Sequence, residues 1–304
     1  MQPRRITAMP AALTADSTPC AIRYAKEFLR SGDGVRLCLH AWQPERPEAI
    51  LFFIHGIQSH AGWLFETGPI LASAGMAVYA LDRRGSGISE GPRGHLPSLE
   101  ILFADYESAW THVLASLPGL PATALGQSLG GGILAGLAAR GGLISARNLV
   151  FCAPALGQMH ARLNEPERAR IGNLAAHETL ARVPVDLADS DYTDIPRYLE
   201  FMAKDPFMAR SITQGTRAAM LALEKGYLDL GPALGNRRTV FIRPALDRIL
   251  DLDASYHALC GLSGRAVESI IFPTSCHYLE FSEFGDAYRE LLAARILSRE
   301  DVGQ

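Results

Sequence analysis

Ala122-Thr123-Ala124-Leu125-Gly126-Gln127-Ser128-Leu129-Gly130-Gly131 is the stretch on which the reading of this chain turns. A short apolar run ends at Gly126, Ser128 stands between two glycines, and a small-residue segment of helical character follows at once. That is the G-x-S-x-G pattern in the setting it requires: strand, sharp turn, helix. A turn tight enough to strain Ser128 at the head of a sheet brings neighbouring backbone against positions 126 and 130. Only Gly126 and Gly130 leave room there. Five residues also match by chance, so the pattern gains weight only from what the rest of the chain supplies.

Length and composition set the frame. The 304 residues suffice for one large α/β domain with an insertion, or for two domains. A net charge of −3 leaves no electrostatic footprint for nucleic acid or an acidic membrane surface. Arg4 and Arg5 are followed by no sustained apolar run, so residues 1–20 lack a signal-peptide core and read as a flexible arm. No apolar stretch reaches the ~18 residues that a membrane span needs. The 5 cysteines (Cys20, Cys38, Cys152, Cys260, Cys276) are odd in number, scattered and without a C-x-x-C pair. They fit reduced, buried thiols and a cytoplasmic location. Cys276 adjoins His277, but neighbours on an extended segment point opposite ways, which sets a Cys–His pair aside.

Along the chain, Arg23–Leu29 and Val35–Trp42 read as an antiparallel hairpin across Ser31-Gly32-Asp33-Gly34. Ala49–Ile54 and Met76–Leu81 are continuous apolar runs, as in strands buried on both faces. Trp63–Ser73 and Leu99–Leu117 carry helical spacing, Ala122–Gly126 is the strand before Ser128, Gly131–Arg140 a helix, and Asn148–Cys152 the next strand. From Pro154 to Gly235 the pattern is helical and broken by Pro166, Pro184, Pro196, Pro206 and Pro232. Strands resume at Thr239–Arg243 and Val267–Phe272, and Gly285–Leu297 closes the chain as an amphipathic helix. Alternating strands and helices predict a mostly parallel sheet covered on both faces. The expected organisation is an arm (1–20), a core (21–153 and 236–304), and a helical cap or lid inserted at 154–235.

A serine hydroxyl needs a base to act as a nucleophile, and the base needs an orienting acid. After this kind of turn the partners follow in the order Ser, Asp or Glu, His. Pro244-Ala245-Leu246-Asp247 follows one late strand, and Pro273-Thr274-Ser275-Cys276-His277 follows the other. Both segments lie at strand carboxyl ends, where open α/β sheets place ligands. His277 alone among 9 histidines meets both order and location. Asp247 competes with Asp251 and Asp253. It is favoured because it comes first after the strand, while the other two read as helix N-terminal charges. The tetrahedral oxyanion then takes one donor from the N–H of Leu129. The second comes from His55-Gly56-Ile57-Gln58-Ser59-His60, where Gly56 allows close approach and Ile57 offers its N–H. A zinc reading of His55 and His60 lacks a third ligand cluster, so both are expected to shape the loop. No cofactor and no metal enters this reading.

With these residues placed, the chain resembles the monoacylglycerol lipase/lysophospholipase group of α/β-hydrolases, a serine aminopeptidase S33-like group. The matching pieces are His55–His60, Leu81-Asp82-Arg83-Arg84-Gly85-Ser86-Gly87-Ile88-Ser89-Glu90-Gly91, Pro92-Arg93-Gly94-His95 and the serine turn. The match runs over about Ala49–Arg140 and resumes near Asp247 and His277. Ala203-Lys204-Asp205-Pro206 sits where the group often carries a similar Asp-Pro step. The resemblance implies an α/β-hydrolase fold with an inserted cap, Ser128 as nucleophile, Asp247 as acid, His277 as base, and Ile57 and Leu129 as oxyanion donors. Two departures stand out. The group often has His-Gly-x-x-Asp where this chain has Arg243-Pro244-Ala245-Leu246-Asp247, and often His where this chain has Gln127.

The expected activity is hydrolysis of a carboxylic ester with a medium, long or otherwise apolar acyl group, through an acyl-enzyme on Ser128. The apolar content of the insertion (Phe201, Met202, Phe207, Met208 among others) suits such a chain, although most of these residues are expected to pack cap helices together. The expected partner is a small apolar ester, without nucleic acid and with at most transient lipid-surface contact. The same site would also serve a thioesterase, a lactonase, or a biosynthetic acyltransferase or cyclase. A non-catalytic binding protein on this fold is the alternative of another class.

Overall fold

The computed structural model describes residues 21–298, so the expected arm at 1–20 and Cys20 lie outside the described residues. In chain order the strands are β1 (Ile22–Arg30), β2 (Arg36–Pro44), β3 (Ala49–Ile54), β4 (Met76–Leu81), β5 (Ala122–Gln127), β6 (Ala146–Cys152), β7 (Arg182–Pro184), β8 (Ser211–Thr213), β9 (Arg238–Pro244) and β10 (Glu268–Phe272). The helices are α1 (Thr67–Ser73), α2 (Leu99–Ser116), α3 (Leu129–Ala139), α4 (Gln158–Arg162), α5 (Glu165–His177), α6 (Asp189–Tyr192), α7 (Pro196–Lys204), α8 (Gln214–Leu228), α9 (Leu252–Ser263) and α10 (Gly285–Leu297).

Eight strands form one sheet in the order β1-β2-β4-β3-β5-β6-β9-β10. The hairpin strand β2 pairs antiparallel with both β1 and β4, and the remaining pairs are parallel. Every residue of β3, β4 and β5 is buried, the outcome expected of unbroken apolar runs between two helical layers. One layer brings α2, α3, α8 and α9 onto the sheet through Phe103, Trp110, Ile133, Leu223 and Leu259. The other brings α1 and α10 through Leu71, Tyr288, Leu292 and Ile296.

Two sequence expectations shift. The helix expected over Trp63–Ser73 splits into a 3₁₀ turn at Ala61–Phe65 and α1. Pro69 explains the break: it lacks an N–H and is tolerated only in a first helical turn, so a helix containing it must begin shortly before it. Between β6 and β9 the chain is helical as expected, but it also holds a two-stranded antiparallel ribbon, β7 with β8. Strands of three residues, one of them ending in proline, carry no alternation that a sequence could show. Among the described residues no helix is long and apolar enough to cross a membrane.

Candidate active site

Ser128 follows β5 directly and precedes the first residue of α3, with φ 54° and ψ −122°. A non-glycine residue at that φ stores strain that the surroundings must hold in place. Here the turn is tied to its neighbour strand: Ser128 N–H donates to Cys152 O at 3.1 Å, and Ala155 N–H donates to Ser128 O at 2.9 Å. The flanking glycines are required by contact. A Cβ at Gly126 would lie 2.4 Å from Gly130 O, and one at Gly130 would lie 1.9 Å from Ile54 O.

Asp247 and His277 meet at the carboxyl ends of β9 and β10. The two loops are joined by Ala245 N–H to Phe272 O at 2.7 Å and Leu246 N–H to Thr274 O at 3.3 Å. His277 Nδ1 donates to Asp247 Oδ2 at 2.7 Å, and both side chains are fully buried. Asp247 Oδ1 accepts the N–H groups of Ile249 (2.8 Å) and Leu250 (2.9 Å). Burial pushes the Asp247 carboxyl up, but His277 and those two N–H groups more than offset it and hold it below the ordinary carboxylate value. The glycine absent before Asp247 is not required by the backbone, because no residue from 243 to 251 has a positive φ. Asp251 instead caps α9, accepting the N–H groups of Asp253 and Ala254, and Asp253 pairs with Arg243.

His277 Nε2 is buried and has no hydrogen-bond partner among the described residues, so the link to Ser128 Oγ is not closed in this structure. Hydrogen bonds of this kind are often long in unliganded proteins and tighten around substrate. The N–H groups of Ile57 and Leu129 donate to no backbone acceptor among the described residues. Gly56 brings its loop against the serine: a Cβ there would lie 3.3 Å from Ser128 Cβ and 2.9 Å from the Tyr278 hydroxyl.

The two loop histidines are occupied locally. His55 Nε2 accepts the Arg83 backbone N–H at 3.0 Å, so Nδ1 carries the proton and donates to Gly56 O at 2.9 Å. Burial, then the nearby Arg83 cation, holds the His55 imidazole well below its ordinary value, as a neutral ring. His60 Nδ1 accepts the Gly62 N–H, and Nε2 pairs with Asp205 Oδ2 at 3.1 Å. Gln127 donates to Glu280 Oε2 at 3.2 Å, away from any proton relay. Burial raises the Glu280 carboxyl. A separate buried trio, Cys38, His40 and Asp82, places ligand-type atoms within 4.8 Å of one another. Its hydrogen bonds are already spent on structure: Asp82 accepts from Ala61, Ile88 and His40, and His40 Nδ1 meets the Tyr24 hydroxyl.

The inserted helices close over this floor. The Tyr192 hydroxyl donates to Gln58 Oε1 at 2.6 Å, and its ring packs edge-on against His277 at 5.8 Å between centroids. Ala209 N–H donates to Gln58 O at 2.9 Å, and Trp63 Nε1 donates to Asp205 Oδ2 at 2.8 Å. Trp63, Tyr192, Tyr198, Met202, Met208, Tyr278 and Phe281 form one apolar joint between insertion and floor. Ser128 is only 8% exposed beneath it. Sequence reasoning assigned no part to Gln58, Tyr192, Tyr278 or Arg83. Tyr192 lies in the unpatterned insertion, and Arg83 stood out only as part of the Leu81–Gly91 stretch that follows a buried strand.

Sheet order, strained serine turn and inserted helices are those of the α/β-hydrolase fold. Within it, the chain belongs to the family described as serine aminopeptidase, S33, whose model matches residues 45–283. It is similar to a monoacylglycerol lipase of Mycolicibacterium smegmatis, 37% identical over 108 residues, covering 35% of this chain and 39% of that one. A human monoglyceride lipase is 32% identical over 127 residues, covering 41% and 42% of the two chains. These matches span about two fifths of the relatives' length. Among solved structures, a monoacylglycerol lipase from Paleococcus ferrophilus superposes with TM-score 0.74 at 19% identity, over 87% of this chain and 99% of that one. A soluble variant of monoglyceride lipase from Saccharomyces cerevisiae gives TM-score 0.76 at 17% identity, over 97% and 100%.

Proposed function

We propose that this protein is a serine hydrolase that cleaves carboxylic esters of an apolar acyl group, of the monoacylglycerol lipase kind, through an acyl-enzyme on Ser128. The observation that carries this reading is the fully buried Asp247–His277 pair, whose second ring nitrogen, Nε2, has no hydrogen-bond partner among the described residues. Asp247, ionised, fixes the proton on Nδ1 and leaves Nε2 as a base. Nε2 takes the Ser128 proton as Oγ attacks the ester carbon, and the N–H groups of Ile57 and Leu129 receive the oxyanion. The imidazolium returns the proton to the leaving alkoxide, forming the free alcohol. Water, activated by the same nitrogen, then releases the acid and restores Ser128.

Residues 154–235 serve as the cap, and the apolar joint it makes with the floor favours an apolar acyl chain over a charged one. The substrate is a small apolar ester, met in solution or by brief contact with a lipid surface, and the unpaired cysteines suit a cytoplasmic location. The test is a panel of p-nitrophenyl esters, monoacylglycerols, acyl thioesters and lactones, run on the wild-type protein and on Ser128→Ala. The esters should turn over fastest, and Ser128→Ala should lose at least about 10³-fold in kcat with an unchanged circular dichroism spectrum. Near-normal turnover by Ser128→Ala, or a faster thioester or lactone, contradicts the assignment.

A further inference from the structure

Two consecutive arginines follow β4 and are used in opposite ways. Arg84 meets carboxylates, Asp33 at 2.7 Å and Asp105 at 3.0 Å. Arg83 is 4% exposed and makes no ion pair with a carboxylate among the described residues. Its guanidinium lies under the loop that faces Ser128. Nη1 donates to His55 O (3.3 Å) and Gly56 O (3.2 Å), and Nη2 donates to Gly56 O (3.2 Å) and Ile57 O (3.3 Å). Burying a cation without a counter-ion is costly, and three backbone carbonyls offset that cost only in part.

The arrangement has a geometric result. In a planar trans peptide the C=O and the N–H point in opposite directions, and no described peptide bond is cis. The Gly56 carbonyl and the Ile57 N–H belong to one such peptide. Arg83 draws this carbonyl to the buried side, helped by His55 Nδ1, and so turns the Ile57 N–H the other way. That N–H has no backbone acceptor among the described residues, and the Gly56 loop it belongs to lies against Ser128 Cβ. We propose that Arg83 is a positioning residue for the oxyanion site: it fixes the 56–57 peptide with the Ile57 N–H toward Ser128, and its charge polarises that peptide so that the N–H is a stronger donor. This rests on the hydrolase reading above.

Arg83→Gln and Arg83→Lys separate orientation from mere support. Lysine keeps the charge but, as a compact ammonium on a flexible stem, cannot fork across three carbonyls. The assay measures kcat and KM on p-nitrophenyl butyrate, inhibition by an alkyl trifluoromethyl ketone (whose hemiketal oxyanion needs the same donors) and thermal stability. Expected are a fall in kcat of about 30- to 100-fold for Gln and about tenfold for Lys, KM within about twofold, and ketone affinity weakened in step with kcat. A support role alone would lower the melting temperature and leave kcat per titrated site unchanged; kcat within about twofold of wild type in either folded variant overturns the proposal. If neither variant folds, the wild-type Ile57 amide proton decides. A downfield shift on hemiketal formation is required, and no shift overturns the proposal. Absence of wild-type turnover on every ester would instead overturn the hydrolase reading itself.

Discussion

The floor of the site and the insertion above it are built on different rules. The floor is fixed by backbone. Ser128 is held by a turn with no space for a Cβ at Gly126 or Gly130, and Asp247 and His277 ride on two strand ends joined by main-chain hydrogen bonds. The insertion is held largely by side chains: an aromatic and methionine joint, the Tyr192–Gln58 bond, and Asp205 shared by His60 and Trp63, with a few main-chain bonds such as Ala209 N–H to Gln58 O and Tyr278 N–H to Tyr192 O beside them. Backbone constraints admit few residues and recur at fixed spacing, whereas side-chain packing admits many solutions of equal volume. On the proposed function, the division would carry over: generic chemistry on the floor, substrate choice in the insertion.

That contrast predicts where substitutions act. The largest difference falls between two aspartates four residues apart on the floor. Asp247→Asn should lower kcat by about 10³- to 10⁴-fold, because the imidazole loses its tautomer and its charge partner. Asp251→Asn should stay within about threefold, since asparagine caps α9 as well as aspartate does. Steady-state kinetics on a p-nitrophenyl ester check both, and the reverse ranking would move the acid to Asp251. The smallest effect belongs to the insertion. Asn164 and Glu167 form a reciprocal capping box at the start of α5. Asn164→Ala should cost about 1 kcal/mol in chemical denaturation while leaving kcat on a short-chain ester unchanged. A large kcat loss there would show that floor and insertion are more tightly coupled than their contacts suggest.

The same contrast explains how much was legible in the sequence. Glycines forced by contact and apolar runs buried on both faces made β3, β4, β5 and the serine turn readable. Strand-end placement in the order Ser, Asp, His singled out the pair that the structure brings to 2.7 Å. The glycine missing before Asp247 leaves that turn with ordinary backbone angles, because no residue there adopts a positive φ. The insertion gave only helical character. Its ribbon is too short to alternate, and Tyr192 reaches His277 through tertiary packing that no local pattern encodes. Arg83 lies between these cases: its position was plain, but its use of backbone carbonyls in place of a carboxylate could be seen only in three dimensions.

The central claim, that Ser128 is the nucleophile of a working hydrolase, is tested most directly by covalent labelling. The folded protein is treated with a fluorophosphonate, its intact mass is measured, and the adduct is mapped to a peptide. One equivalent should attach, on the peptide containing Ser128, with p-nitrophenyl butyrate turnover lost in proportion to labelling. Folded protein that stays unlabelled, or that carries the adduct on another residue, would contradict the account.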